Sequence, residues 1–224
     1  MTQVATKSVP MVERVTMRKD PRRLLSPNGG RQQGMGSSKD AAAATTIGYF
    51  TTVESERTGW TGGLLVLNGA GRPLEFQCTL PIRPSRAHEI LFGTTLRQHL
   101  ISEVIGPTLL QKCRTPISLL CCGQPEAISL QENLPSSAAS LPANSAVRST
   151  VVAVVQREDE KRIRELEGHC RVTLGNATLH VAMERIDDAE TAIAGLSDII
   201  DTHEPFERIT EAIREAQSQM ARAA

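Results

Sequence analysis

The sequence predicts an α/β protein of α+β character, in which helices pack on a mixed β-sheet with antiparallel strands in its amino-terminal part. Three observations predict this class. Apolar runs flank a turn sequence, "NGAGRP" (68–73), and strand-like and helix-like patterns then alternate along the chain. Apolar residues make up 40% of the 224 residues, which is enough for a packed core.

The strands follow from two kinds of apolar pattern. The segment "IGYFTTVE" (47–54) is rich in aromatic and β-branched residues, and "LLVLN" (64–68) is continuously apolar, as in a strand covered on both faces. The segment "PLEFQCTL" (73–80) alternates with a period of two. The glycines between these last two segments therefore turn the chain, and do not open a helix onto a phosphate.

Further elements come from shorter patterns. Buried strands are predicted at "ISLLCC" (117–122) and "VVAVV" (151–155), and a hairpin at Gly175–Asn176. Helical spacing of apolar residues predicts a helix from Ser85, a longer one kinked at Pro107, and helices near the carboxyl terminus. The order of the first six elements, β-β-β-α-β-α, is similar to that of the RNase H-like fold, by analogy of element order alone.

Composition divides the chain into four segments, 1–45, 46–134, 135–150 and 151–224. The first is predicted to be a disordered basic tail; within it, Ser26 fits a phosphorylation site and Met35 is an alternative start. The second is predicted to be the β-β-β-α-β-α core, and the third a flexible linker or long loop. The fourth is predicted to be an α/β continuation that completes the same sheet.

Charge is unevenly distributed along the chain. Residues 1–40 hold eight Lys or Arg and three acidic residues, so the rest carries five excess negative charges in a chain with no net charge. An acidic globular part with 3% aromatic residues disfavours nucleic acid and membranes as partners, and leaves a protein or small ligand as the expected partner. Without a secretory signal or membrane span, we expect a soluble cytoplasmic protein with reduced cysteines.

One cysteine is a candidate catalytic residue. Cys122 lies where an apolar strand ends and a short helix begins, and a helix amino terminus can stabilise a thiolate. Glu126 lies one helical turn further along, and a histidine partner would have to come from elsewhere in the chain. The alternative is that Cys121 and Cys122 are small core residues, as cysteines often are.

Metal and cofactor sites are not predicted. A two-metal nuclease with an RNase H-like layout would need carboxylates from the first strand, the first helix and the fourth strand. Glu54 and Glu89 fit the first two positions, but "ISLLCC" contains no acidic residue. Neither a Cys-x-x-Cys nor a His-x3-His spacing occurs, so we expect no bound metal and no cofactor.

A contact site is predicted in the loop "SERTGWTGG" (55–63). It contains the one tryptophan of the chain, Trp60, followed by Thr61 and Gly62, and a large amphipathic ring on a flexible loop is typical of a contact point. The alternative is that the ring folds back over the edge of the sheet.

These patterns predict a binding protein more strongly than an enzyme, because no complete catalytic constellation is present. The main hypothesis is a non-catalytic module that binds a protein or a small ligand through the Trp60 loop. The alternative is a thiol-dependent enzyme or redox sensor that uses Cys122. A further alternative is a nucleic-acid-binding RNase H-like domain without complete nuclease carboxylates. The oligomeric state is left open.

Overall fold

The computed structural model describes residues 12–14, 45–134, 150–156, 168–196 and 198–223. Ser26 and Met35 therefore lie outside the described residues, as does most of the segment predicted to be a disordered tail. The predicted linker also lies outside them, apart from Thr150.

Within the described residues, an eight-stranded mixed sheet forms the centre of the fold. The strands are β1 (Val12–Arg14), β2 (Thr46–Ser55), β3 (Gly59–Asn68), β4 (Pro73–Thr79), β5 (Leu119–Cys122), β6 (Val151–Val155), β7 (His169–Leu174) and β8 (Ala177–Ala182). Their order across the sheet is β1-β4-β3-β2-β5-β6-β8-β7. The neighbours β2, β5 and β6 are parallel, and all other neighbouring pairs are antiparallel.

The predicted fold class is confirmed. The adjacent strands β4, β3, β2, β5 and β6 combine an antiparallel amino-terminal part with parallel strands on the other side of β2, in agreement with the RNase H-like element order. The strands β8 and β7 extend the same sheet beyond β6. The short strand β1 lies within the segment predicted to be disordered and pairs with β4.

The helices are α1 (Arg86–Phe92), α2 (Leu96–Gln98), α3 (Gly106–Lys112), α4 (Leu130–Asn133), α5 (Ile186–Ala194) and α6 (Glu204–Ala223). Gly93, with a φ of 48°, ends α1, and a 3-10 turn leads from it into α2. A π-helix (His99–Ile105) then joins α2 to α3 without a break. Pro107 lies in the first turn of α3. The chain changes from π-helix to α-helix at this point, where the missing N–H group of proline interrupts the helical hydrogen-bond ladder.

The sheet separates two hydrophobic cores. Successive side chains of a strand point to opposite faces, so Ile47 and Tyr49 of β2 contribute to one core and Phe50 to the other. The helices α5 and α6 cover the first core, whereas the π-helix, α3 and α4 cover the second. No helix within the described residues is long and apolar enough to cross a membrane.

The glycine-containing segment after β3 turns the chain, as the alternating pattern predicts. The Oδ1 atom of Asn68 accepts hydrogen bonds from the N–H groups of Ala70 and Arg72, at 3.1 and 2.9 Å. Gly71 has a φ of 74°, a conformation that glycine adopts readily. The turn therefore leads directly from β3 into β4.

Candidate binding site at the carboxyl edge of the parallel strands

The carboxyl ends of β2, β5 and β6 lie at the same edge of the sheet. In the sheet register, Phe50 is beside Cys122, which is beside Val154. The strand β5 ends at this row, whereas β2 continues to Ser55, so Glu54 projects beyond it. Open α/β sheets bind their ligands outside the carboxyl ends of parallel strands, which makes this edge the first place to look for a site.

The side chain of Gln124 closes the gap between β2 and the end of β5. Its Oε1 atom accepts a hydrogen bond from the N–H of Thr52 at 3.1 Å. Its Nε2 atom donates to the carbonyl oxygen of Thr52 and to Oγ1 of Thr51, both at 2.9 Å. A neutral amide thus supplies the donor and the acceptor that continue the pairing beyond the last strand residue.

Beside this bridge, on the side of α2, lies a group of side chains that we name the Arg97 cluster: Arg97, Glu54, Glu126 and Trp60. Nε of Arg97 donates to Oε1 of Glu126 at 2.5 Å, and Nη1 lies 3.4 Å from Oε2 of Glu54. The guanidinium carbon lies 5.1 Å from the centre of the Trp60 ring, within the range of a cation–π contact. One arginine therefore joins β2, β3 and the segment after β5.

Three acidic side chains of this region, Glu54, Glu89 and Glu126, are engaged by arginines. Glu54 and Glu89 line the same cleft of about 630 Å³, as a nuclease layout would require. Glu54 pairs with Arg97, however, and Glu89 pairs with Arg86 at 2.9 Å. Among the described residues, no group of three or more His, Cys, Asp or Glu side chains is arranged to hold a metal ion.

The structure places Trp60, Thr61 and Gly62 in strand β3, and this corrects the expectation of a flexible contact loop. Trp60 is 8% exposed, and its backbone N–H and C=O both bond to Ile82, at 2.9 and 2.8 Å. Thr61 is buried and its hydroxyl accepts a hydrogen bond from Gln217 at 2.9 Å. At Gly62 there is no space for a side chain, because Ile105 lies directly against the backbone. The tryptophan ring is thus part of the second core.

Cys122 has an environment opposite to the one that a nucleophile needs. The side chain is fully buried in the second core, and burial, with a smaller contribution from Cys121, raises the pKa of its thiol well above the ordinary value. Cys121 points into the first core, as the strand alternation requires. Glu126, the proposed partner, bonds to Arg97. A reactive thiolate at Cys122 does not fit these surroundings.

On the other face of the sheet, an open space lies between the strand ends and α6; we name it the α6 cavity. Its volume is about 370 Å³. Its floor is formed by Thr51, Gly123 and Val155, which directly follow the row of Phe50, Cys122 and Val154. Its roof and rim are side chains at helical spacing on one side of α6 and just before it: His203, Phe206, Glu207, Thr210, Glu211 and Arg214.

Packing on β2 and β3 fixes the position of α6. Ile209 and Ile213 lie against the backbone of Gly63, where a side chain would collide with them. Phe206 meets the ring of Tyr49 edge-on, with 5.3 Å between ring centres. Because these contacts hold α6 over β2 and β3, the helix leaves the ends of β5 and β6 open beneath its other side.

The first turn of α6 is capped within the chain. Oδ1 of Asp201 accepts hydrogen bonds from the N–H groups of His203 and Glu204, at 2.9 and 3.2 Å. These bonds are the main reason why the pKa of Asp201 lies below its ordinary value. The carboxylate of Asp201 thereby interacts with the positive, amino-terminal end of the α6 dipole.

Sequence reasoning identified the acidic members and the tryptophan of the Arg97 cluster but missed Arg97 itself. Arg97 is separated from Glu54 by 43 residues and from Glu126 by 29, and no motif links them. The α6 cavity was also missed, because its floor depends on the register of three strands. The stripe of polar residues on α6, at positions 207, 210, 211 and 214, was the one available signal.

Comparisons with known proteins show no sequence family. No protein-family model matches the chain, and no curated protein is significantly similar to it. Among solved structures, the chain is similar to endonuclease V of Ciona intestinalis in complex with a 23mer DNA containing an inosine followed by a ribo-adenosine. The identity is 13%, the match covers 80% of this chain and 88% of that chain, and the TM-score is 0.39.

This match corrects one prediction. The sequence analysis set nucleic acid aside as a partner, and a structural neighbour crystallised with DNA contradicts that exclusion. Nucleic acid is therefore no longer excluded as a partner. The match does not show that this chain binds nucleic acid, because a TM-score of 0.39 is too low to transfer a binding function.

Proposed function

We propose that this protein is a non-catalytic binding domain that holds a small ligand in the α6 cavity. The observation that carries the proposal is the position of the cavity, at the carboxyl edge of three parallel strands and under a polar side of α6. This is where open α/β sheets bind ligands. A volume of about 370 Å³ also falls within the range of small-molecule sites.

The chemistry of the same edge supports binding without catalysis. Arg97 lies between Glu54 and Glu126, so these carboxylates neutralise a guanidinium group and do not face a reacting atom. The Cys122 thiol is fully buried, and burial raises its pKa well above the ordinary value. Neither the nuclease nor the thiol-enzyme hypothesis therefore has a complete set of reactive groups within the described residues.

Native mass spectrometry of the full chain, purified gently from the cells that make it, tests the proposal. We expect a small added mass on the wild-type protein. Two substitutions should abolish it by filling the cavity from opposite walls. Gly123→Val acts from the floor, where even a Cβ atom would lie 3.2 Å from the Phe206 ring, and Thr210→Phe acts from the roof.

A matched control separates cavity filling from a general effect of a new aromatic side chain. Ser218 lies on the exposed surface of α6 outside the cavity lining, so Ser218→Phe should retain the added mass. Circular dichroism checks that every variant is folded. An adduct that persists in both filled variants, or a wild-type protein that carries none, would show that the α6 cavity does not hold the ligand.

Nucleic-acid binding is a second candidate function, and one observation favours it. Residues 1–40 carry five excess positive charges, on a chain whose sheet has RNase H-like element order. Lys and Arg side chains bind the phosphates of a nucleic acid whatever its base sequence, and counterions are released from the nucleic acid on binding.

Fluorescence anisotropy with a labelled single-stranded oligonucleotide tests this second candidate. Binding should weaken steeply as the salt concentration rises and disappear when residues 1–40 are deleted, because phosphate contacts depend on these charges. A complex that is insensitive to salt, or one that survives the deletion, would contradict phosphate binding by this segment.

A further inference from the structure

The charges on α6 differ between the cavity side and the remaining surface of the helix. Away from the cavity, Glu204 pairs with Arg208 at 2.5 Å, and Glu215 accepts a hydrogen bond from Gln219 at 2.9 Å. On the cavity rim, Glu207, Glu211 and Arg214 form no ion pair with any described residue. The cavity thus has three exposed charges that a ligand can meet.

The arrangement of these charges favours an organic cation at one end of the cavity. Glu207 and Glu211 are one helical turn apart on the same side of α6, where two like charges repel each other. A positively charged group between them would remove this repulsion and could donate hydrogen bonds to both carboxylates. The ring of Phe206 also lines the cavity, and aromatic rings attract cations.

Two other kinds of ligand fit less well. An anion at the start of α6 would need free N–H groups, but those of His203 and Glu204 already donate to Asp201. A metal ion would need at least three suitable ligands, and no such group exists among the described residues. An ammonium or guanidinium group needs only the two carboxylates.

Arg214 defines the opposite end of the site. It lies three residues beyond Glu211 and seven beyond Glu207, which is about 10.5 Å along the helix axis from Glu207. A guanidinium group at this place pairs best with a carboxylate. The cavity rim therefore carries negative charge at one end and positive charge at the other.

We propose, building on the function proposed above, that the α6 cavity binds a small amphoteric molecule of the amino-acid type. Its ammonium or guanidinium group lies between Glu207 and Glu211, and its carboxylate faces Arg214. An extended molecule of the length of lysine or arginine spans these side chains.

Isothermal titration calorimetry of the full chain with L-arginine, and with agmatine, which lacks the carboxylate, tests both ends of this assignment. The double variant Glu207→Gln with Glu211→Gln should weaken the binding of both compounds by about tenfold or more, as expected for the loss of charge-assisted hydrogen bonds. Arg214→Gln should weaken L-arginine binding without weakening agmatine binding, because agmatine has no carboxylate for Arg214 to bind. The control Glu215→Gln, outside the cavity lining, should change neither.

Equal binding by the wild type and the double variant would overturn the ammonium assignment, and so would tighter binding of citrate than of L-arginine. Failure of this inference is distinguishable from failure of the proposed function. If neither compound binds but the native adduct is present and is lost in Gly123→Val, the cavity is a ligand site and the ligand class is wrong. If the wild type carries no adduct and binds neither compound, both proposals fail.

Discussion

The guanidinium group of Arg97 lies 5.1 Å from the centre of the Trp60 ring while its Nε donates to Glu126. This relationship connects a strand of the antiparallel part of the sheet with the segment that follows a parallel strand. It also accounts for the position of Glu54, whose carboxylate reaches the same guanidinium. The Arg97 cluster therefore links these parts of the fold at the edge of the sheet where a ligand site would be expected.

Replacing Arg97 with Ala should destabilise the protein. The substitution removes the cation–π contact and both ion pairs, and it leaves the carboxylate of Glu126 without its cation. Because the pairs are partly exposed and screened by solvent, we expect a loss of about 1 kcal/mol in the free energy of unfolding. Urea titration followed by circular dichroism measures it.

Arg86→Ala is the matched control for this prediction. Arg86 forms a single exposed pair with Glu89 within α1, so the free energy of unfolding should change by less than about 0.5 kcal/mol. Equal losses in the two variants would show that the Arg97 cluster contributes nothing beyond an ordinary surface ion pair.

Replacing Gly62 with Ala should also destabilise the protein. The new methyl group would press against Ile105 and lie 3.2 Å from Leu109, both fully buried. Overpacking of this kind costs about 1–3 kcal/mol. A lower melting temperature in differential scanning calorimetry is the expected result, and an unchanged one would contradict the close approach of the π-helix to β3.

Thiol labelling should distinguish the cysteines by burial. Cys170 is partly exposed, whereas Cys122 is fully buried, where burial raises the pKa of its thiol. In the folded protein, iodoacetamide should modify Cys170 first and Cys122 only after urea is added, as peptide mapping can show. Labelling of Cys122 as fast as that of Cys170 would revive the thiol-enzyme hypothesis.

Stability should fall in acid because of Glu75. Burial alone would raise the pKa of this carboxyl, but hydrogen bonds from the Thr115 hydroxyl and backbone, and further ones from Gln77 and Arg114, outweigh it and lower the pKa to about 2. The folded state therefore favours the ionised form. The resulting stabilisation is complete above the ordinary value of 4.5 and is lost as the pH falls towards about 2.

The variant Glu75→Gln tests this pH dependence. Its free energy of unfolding, measured in urea at about pH 5 and about pH 3, should decrease less between the two conditions than that of the wild type. A wild-type decrease that is equal to that of the variant would show that Glu75 does not titrate as proposed.

The fold could be predicted from the sequence because its signals are local. The alternation in 73–80 and the turn residues before it predict β4 and the hairpin directly, and the structure has both. The depth of Trp60 could not be predicted, because it depends on Ile82 and Arg97, which come from later parts of the chain. His180 illustrates the same limit: it alternates with apolar neighbours in β8, a pattern typical of a solvent-facing residue, yet it is buried and bonds to Gln156 at 3.3 Å.

The site was harder to predict than the fold. The sequence suggested Cys122 and Glu126 from their places at the end of a strand and in the short helix after it. Burial and the pairing with Arg97 decide what the two residues can do. The α6 cavity depends on Gly123 lying beside Thr51 and Val155, and on the position of a helix that begins only at Glu204. The placement of these three residues and of the helix follows from the strand register and leaves no local pattern in the sequence.

The burial of Trp60 has a spectroscopic consequence. Since the chain has one tryptophan, its intrinsic fluorescence reports on a single location, the Arg97 cluster. An indole in a dry environment emits at shorter wavelength than one in water, and a collisional quencher such as acrylamide reaches it poorly. The protein thus carries a built-in optical reporter on the sheet face opposite the α6 cavity, which can reveal the opening of this edge without any label.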